Sequence, residues 1–416
     1  MKRYFCIAAF TGFSLFFFLF SFLFCFSFPL RLAAQDAFPP LLPKPAVNAQ
    51  AAVLIDGATG ALLFSKNGDH AIPPASLAKL MTIHIALNEV AEGRASLDEV
   101  VALPPQSWAV NQPPRSSLMY LASGQIVTLR ELLLGLAIPS GNDAAVAVAL
   151  HFAPTVEAFA ERMNQEARWF GLLSTRFVEP SGISEFNTTT ALEFAFFCKE
   201  YLNLHPETLQ DYHSVREFIY PKEENWPPAY RGRLRPASRS NSNTLLWTFE
   251  GVDGLKTGYI DESGYNIAIT AEREGTRLIL VILGASAIRA RDEDGRALLT
   301  WGFEHFKTLR PVPESLAPVR VWKAKRDTAE ISVEKSLLEF TTFTDRGRNL
   351  RWETELADPI IAPLPAYSEV GTLILYDDQG KLEQFPLTIT SELERGGFLK
   401  RLFDAVRLFF RSLKTK

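Results

Sequence analysis

The stretch Pro73-Pro-Ala-Ser-Leu-Ala-Lys79 runs directly into Leu80–Val90, an apolar segment with helical spacing. The proline pair ends extended chain and Ser76 opens the helix, which places its hydroxyl where free amides and the helix dipole favour negative charge. Lys79 lies one turn further along the same face, within reach of that hydroxyl. Two more short motifs follow in order, Ser140-Gly-Asn142 and Lys256-Thr-Gly258. Together they supply the groups for opening an amide through a serine ester without a catalytic histidine. Ser76 is the nucleophile candidate. Ser140 and Asn142 can relay protons and hold a substrate amide. Lys256 can neutralise a substrate carboxylate, while the small Thr257 and Gly258 let a strand edge approach a substrate backbone.

Order is what gives these motifs weight. A chain of this length should contain roughly one Ser-x-x-Lys by chance. A second does occur, Ser332-Val-Glu-Lys335, in a strand-like stretch with neither partner motif after it. It reads as a solvated strand edge. Downstream of Ser76, Ser-x-Asn and Lys-Thr-Gly each occur once.

At 416 residues the chain can hold two or three domains with real cores. The first 34 residues carry three basic and no acidic side chains; the remainder carries 40 basic and 47 acidic, a net charge of −7. A nucleic-acid partner is not expected of such a body. Lys2 and Arg3 precede an uncharged run from Tyr4 to Leu30, the pattern of a signal peptide over residues 1–34 with cleavage after Ala34. The run is also long enough for a retained membrane helix, and either way the body is exported. Cys25 follows the bulky Phe24, which speaks against lipid attachment there. With Cys6 and Cys25 in this segment, only Cys198 remains, among phenylalanines, as a small buried apolar residue. The six histidines show no ligand spacing, and no metal or cofactor is expected.

Residues 35–50 are rich in proline and alanine and read as a linker. Ala51–Ile55 and Ala61–Ser65 flank Asp56-Gly-Ala-Thr-Gly60 as a strand hairpin. Thr128 with Glu131 caps a helix that Pro139-Ser-Gly interrupts, so Ser140 and Asn142 fall on a turn between two helices. Further helices are expected near Thr155–Gly171 and Thr190–Leu204. Gly254–Tyr259, Tyr265–Ala271 and Arg277–Leu283 read as antiparallel strands, with Lys256–Gly258 on the first. The expected architecture is therefore α/β (α+β), an antiparallel sheet with helices over residues 51–310. A small all-β domain follows over 311–390, punctuated by prolines. At the end, Phe398, Leu399, Leu402, Phe403, Val406, Phe409, Phe410 and Leu413 recur three or four apart, with six positive charges against one negative from Phe398 to Lys416. A basic amphipathic helix over 396–416 is expected to sit at a membrane interface rather than pack on the domain.

These residues resemble a known family. Beyond the three motifs, Pro114-Arg-Ser-Ser-Leu-Met119, Leu133–Ala145, Gly251-Val-Asp-Gly-Leu-Lys-Thr-Gly258, Ser263-Gly-Tyr-Asn266 and Leu299-Thr-Trp-Gly-Phe303 are similar to the low-molecular-mass penicillin-binding proteins, specifically membrane-attached D-alanyl-D-alanine carboxypeptidases of the S11 peptidase class. The likeness covers residues 45–310 and extends to the β-domain and tail by arrangement. It implies a transpeptidase-like, penicillin-binding and β-lactamase-like catalytic fold acting on peptidoglycan stem peptides, acylated by β-lactam antibiotics, on the periplasmic side of the cytoplasmic membrane. Carried over by position, it makes Ser76 the acyl-ester residue and Lys79 the general base. Ser140 shuttles a proton with Lys256, and Asn142 binds the peptide. The backbone N–H groups of Ser76 and Tyr259 form an oxyanion hole. Arg291 aligns with an arginine near the terminal carboxylate. Two positions depart: Tyr259 stands where some members have histidine, and Ser242 where some place arginine. A free lysine has a pKa of about 10.4, so Lys79 needs burial beside Lys256 to act as a base near neutrality.

The same motifs occur in serine β-lactamases, where a carboxylate primes water; Glu179 is the one candidate, and it reads as a loop surface residue. A D,D-endopeptidase and a non-catalytic wall-binding scaffold are the other readings the motifs leave open.

Overall fold

The structure, a computed structural model, describes residues 42–231, 236–313 and 315–414. The expected export segment, cleaved or retained, and the first part of the expected linker lie outside these residues.

Strands β1 (Ala51–Asp56) and β2 (Leu62–Lys66) form the first hairpin. A helical layer follows: α1 (Lys79–Ala91), α2 (Leu129–Ala137), α3 (Asn142–Phe152), α4 (Val156–Trp169) and α5 (Ala191–Leu204). Thr128, Thr155 and Thr190 cap α2, α4 and α5 through their side chains, and Glu131 completes a capping box. A short ribbon, β3 (Glu217–Ile219) with β4 (Ser238–Ser240), and the single turn α6 (Leu245–Thr248) lead back to the sheet. Strands β5 (Val252–Ile260), β6 (Gly264–Arg273) and β7 (Thr276–Ala285) complete it in the antiparallel order β2-β1-β7-β6-β5.

Strand β1 is buried at every position because the sheet is covered on both sides, by α5 on one face and α7 (Ile288–His305) on the other. Gly295 and Gly302, two turns apart on α7, permit close approach. A Cβ at Gly302 would lie 2.7 Å from Leu278 Cδ1 and 2.9 Å from Leu54 Cδ2. Strand β5 pairs only with β6, so its outer edge stays open to the helical layer.

The stretch expected as a linker is held from Pro43 onward. Asp294 on α7 accepts the backbone N–H groups of Asn48 and Ala49, Lys66 donates to the carbonyls of Val47 and Ala49, and Trp301 Nε1 donates to Pro43 O. These bonds fix a strap that composition alone assigned to free chain, and within it Ala49 is buried.

Strand β8 (Phe306–Leu309) leaves α7; after it come the short pair β9 (Val319–Arg320) and β10 (Thr328–Ala329), then β11 (Ile331–Ser332) and β12 (Phe340–Phe343). Pairing of β12 with β8 ties the second domain to the first. Buried Asp56 fixes that junction, accepting Thr308 Oγ1 at 2.7 Å and Thr341 Oγ1 at 2.9 Å. Strands β13 (Arg351–Leu356), β14 (Glu369–Asp377) and β15 (Gly380–Ile389) build the antiparallel sheet β11-β15-β14-β13 around Val370, Leu373, Leu375, Phe385 and Leu387. Ser332 lies on the edge strand of this sheet, far in topology from the other motifs.

Helix α8 (Phe398–Lys414) closes the chain. Its polar face packs: buried Asp404 accepts Lys323 N at 2.7 Å, Lys400 pairs with Asp327, and Arg411 with Asp358. The apolar side chains point outward, with Phe398 70% and Phe403 65% exposed. The helix thus does both things set against each other above: it docks on the β-domain, and it presents its apolar face away from it.

Candidate active site

Ala75–Ala78 form a 3-10 turn that passes without a break into α1. Ala75 is held at φ +50°, in the left-handed region, so the turn presenting Ser76 is strained. Two glycines press on it. A Cβ at Gly182, itself at φ +81°, would lie 1.8 Å from Ala75 O, and one at Gly258 would lie 2.8 Å from Ser76 N. Both contacts are with backbone, so no side chain fits at either position. Ser76 is therefore gripped between the loop before Gly182 and strand β5.

Lys79 is fully buried one turn on. Its Nζ donates to Ser76 Oγ at 3.0 Å, Asn142 Oδ1 at 2.7 Å and Ser181 O at 2.5 Å. Burial brings its pKa down to about 7, although the carboxylates of Glu179 and Asp143 pull the other way. Burial is thus the cause, as expected, and the charge of Lys79 in turn lowers Lys256.

Asn142 is the first residue of α3, and its N–H donates to Ser117 O at 2.8 Å. The next residue, Asp143, accepts the backbone N–H groups of Met119, Tyr120, Leu121 and Ala144. Burial pushes the Asp143 carboxyl up against the pull of those amides. One pair of adjacent side chains thus serves two purposes: Asn142 meets Lys79, and Asp143 ties the segment 117–121 to the cleft. Ser140 sits at φ +60° on the turn before α3, and its buried Oγ makes no hydrogen bond among the described residues. The contact with Lys256 that a proton shuttle needs is not formed here.

Strand β5 supplies the opposite wall. Lys256 is 2% exposed and donates to Thr257 O at 3.0 Å. Burial first, then the charges of Lys79 and Arg291, hold its pKa well below the usual lysine range. Arg291, buried on α7 and paired with Asp292, thus acts electrostatically on Lys256, bringing its charge to this wall. Asn243 donates to Gly254 O at 3.0 Å and anchors the start of the strand. Tyr259 follows Gly258 with its ring half exposed against Tyr265.

Two groups escaped the sequence reading. Asp143 follows the Ser-x-Asn motif directly, but three of its four partners lie more than twenty residues back. Glu179 is not the loop surface residue it was expected to be. Its carboxylate gathers five donors, from Ser181 N and Oγ, Gly182 N, Ser184 N and Asn187 Nδ2. It shapes the loop whose Ser181 carbonyl receives Lys79.

Comparison with known proteins matches this architecture. The family model for D-alanyl-D-alanine carboxypeptidase (peptidase S11) covers residues 39–287, and that for the penicillin-binding protein 5 C-terminal domain covers 306–395. The chain is 33% identical to D-alanyl-D-alanine carboxypeptidase DacC of Escherichia coli (strain K12), over 88% of this chain and 89% of that one. Penicillin binding protein 5 from Haemophilus influenzae superposes with a TM-score of 0.74 at 27% identity, covering 85% of this chain and all of that one. Penicillin-binding protein D2 from Listeria monocytogenes in the ampicillin-bound form superposes at 0.54 with 29% identity, covering 63% of this chain and all of that one. With more than half its length matched by one family model and a relative of this identity along most of it, the chain belongs to the D-alanyl-D-alanine carboxypeptidase family of peptidase S11.

Proposed function

We propose that the chain is a serine-type D-Ala-D-Ala carboxypeptidase, a hydrolase that removes the terminal D-alanine from peptidoglycan stem peptides through an acyl-Ser76 intermediate. The observation carrying this is the Lys79 amine 3.0 Å from Ser76 Oγ, buried so that a large fraction is neutral near pH 7. Lys79 takes the Ser76 proton as the oxygen attacks the penultimate carbonyl. The N–H groups of Ser76 and Tyr259 receive the oxyanion, a role that the closeness of Gly258 to Ser76 N favours. The proton passes by way of Ser140 to the departing amine, and D-alanine leaves. Water then gives a proton to Lys79, attacks the ester, and Ser76 is restored. Asn142 holds the substrate amide, while Lys256, Thr257 and Arg291 take the terminal carboxylate. A penicillin forms the same ester, but its leaving amine stays tethered and blocks the return step.

Benzylpenicillin and intact mass test this. Wild type should gain one drug mass and release D-alanine from a pentapeptide; Ser76→Ala should do neither. Rapid penicillin turnover would instead favour the β-lactamase reading, against which stands the engagement of both Glu179 oxygens within their own loop. Cleavage of D-alanyl cross-links in preference to the terminal residue would favour the endopeptidase.

The family supports work on the cell wall outside the cytoplasm. Peripheral attachment at the periplasmic side of the cytoplasmic membrane rests on the outward apolar face of α8, since no single helix among the described residues is long and apolar enough to cross a membrane.

A further inference from the structure

The β3–β4 ribbon carries an arginine on the wrong face for an ordinary surface charge. Phe218 pairs directly with Arg239, so both side chains leave the ribbon on the same side. That side is the inner one: Phe218 is 5% exposed and stacks on Tyr220, which is 2% exposed. Arg239 is half-buried, and its guanidinium lies 4.7 Å from the centre of the Tyr120 ring. Among the described residues it has no carboxylate partner. The ribbon's one acid, Glu217, belongs to the other face and takes the Ser238 hydroxyl.

Tyr120 ties this arginine to the cleft. Its N–H is held at 2.7 Å by Asp143, next to Asn142, and its ring is 50% exposed. Arg115, on the same segment, is also exposed and among the described residues has no acidic partner, and its charge acts on the Tyr259 phenol. Asp261, beside that phenol, is engaged by the Tyr259 hydroxyl. Thus a protein body of negative net charge presents two unneutralised arginines at the mouth of its site. A guanidinium placed over an aromatic ring can keep its fork of N–H donors free for a bidentate anion.

We propose that Arg239, seated on Tyr120, is a substrate-binding residue for a side-chain carboxylate on the acyl side of the scissile bond, so that the preferred substrate is an anionic stem peptide. This deepens the carboxypeptidase reading and rests on it.

The test uses the full chain and two pentapeptides ending in D-Ala-D-Ala. They differ only in a carboxylate or a carboxamide on the side chain preceding that pair. Wild type should favour the carboxylate in kcat/KM by roughly tenfold, the scale of a charge-assisted pair. Arg239→Ala should bring the ratio close to one, and Arg239→Lys, a point charge without the fork, should retain part of it. Arg239→Gln carries the same expectation should the alanine variant not fold. Equal use of both peptides by wild type, or a ratio unchanged in the variants, overturns the subsite alone. Release of D-alanine from neither peptide overturns the carboxypeptidase reading and the subsite with it.

Discussion

Gly258 and Ser76 touch backbone to backbone: a single added carbon at 258 would lie 2.8 Å from the Ser76 nitrogen. Neither neighbour is the free end of a flexible side chain, so the strand and the nucleophile turn cannot both keep their places around an alanine. Gly258→Ala is expected to slow acylation by penicillin at least about a hundredfold, the scale of losing one oxyanion donor. The fold itself should survive, since β5 is an edge strand. Acylation rate and thermal midpoint measured together check this, and an unimpaired rate would remove the oxyanion argument.

The lysine sets the pH dependence. Burial brings the Lys79 pKa down from the ordinary lysine range to about 7, and only the neutral amine accepts the Ser76 proton. Acylation should therefore rise with pH through about 7 and fall as protonation is completed below it. Lys79→Met should lower the rate by roughly 10²–10⁴-fold, the usual worth of general base catalysis, and abolish this limb. A profile flat from pH 5 to 9 would mean that another group takes the proton.

Glu179 acts on the same lysine from a distance. Its negative charge raises the Lys79 pKa, so Glu179→Gln should move the acylation midpoint to lower pH. The variant also gives an amide group to a site where five donors now meet two acceptor oxygens. A loss of stability of about 1–3 kcal/mol is expected for the mismatched contacts. Stopped-flow acylation across pH and a urea melt separate the two effects.

At the far end, deleting Gly397–Lys416 should release an otherwise active protein from membranes. Asp404→Ala gives a sharper case. It removes the acceptor for Lys323 N and loosens the helix from the β-domain while leaving the apolar face intact. Vesicle binding should persist in Asp404→Ala and vanish in the deletion. Binding that survives the deletion would point to the uncleaved N-terminal segment.

Asp56 offers a test of how the two domains are joined. Its carboxylate holds Ala58 N and Thr59 N within its own turn and the hydroxyls of Thr308 and Thr341 across the junction. Asp56→Ala should make the segment around β12 a preferred site of limited proteolysis, with acylation of Ser76 little changed.

What was legible in the sequence was local. Ser76 and Lys79 share one helical face, Thr128, Thr155 and Thr190 cap the helices they precede, and Lys256 to Gly258 lie on a strand, because each follows from spacing within a few residues. The order of the three motifs also pointed to the chemistry to be sought, and the fold brings Lys79 into contact with Asn142 and its charge to bear on Lys256 of the facing strand. Tertiary structure decided the rest. Asp143 reaches back to Met119, Tyr120 and Leu121, Glu179 organises the loop that receives Lys79, and Asp294 fastens the strap before β1. Sequence marks an acidic side chain but not its donors: those of Glu179 come from its own loop, whereas those of Asp294 and all but one of those of Asp143 come from segments far away in the chain. The basicity of Lys79 is of the same kind: a lysine's pKa is set by how much water the folded chain excludes around it, and no motif encodes that.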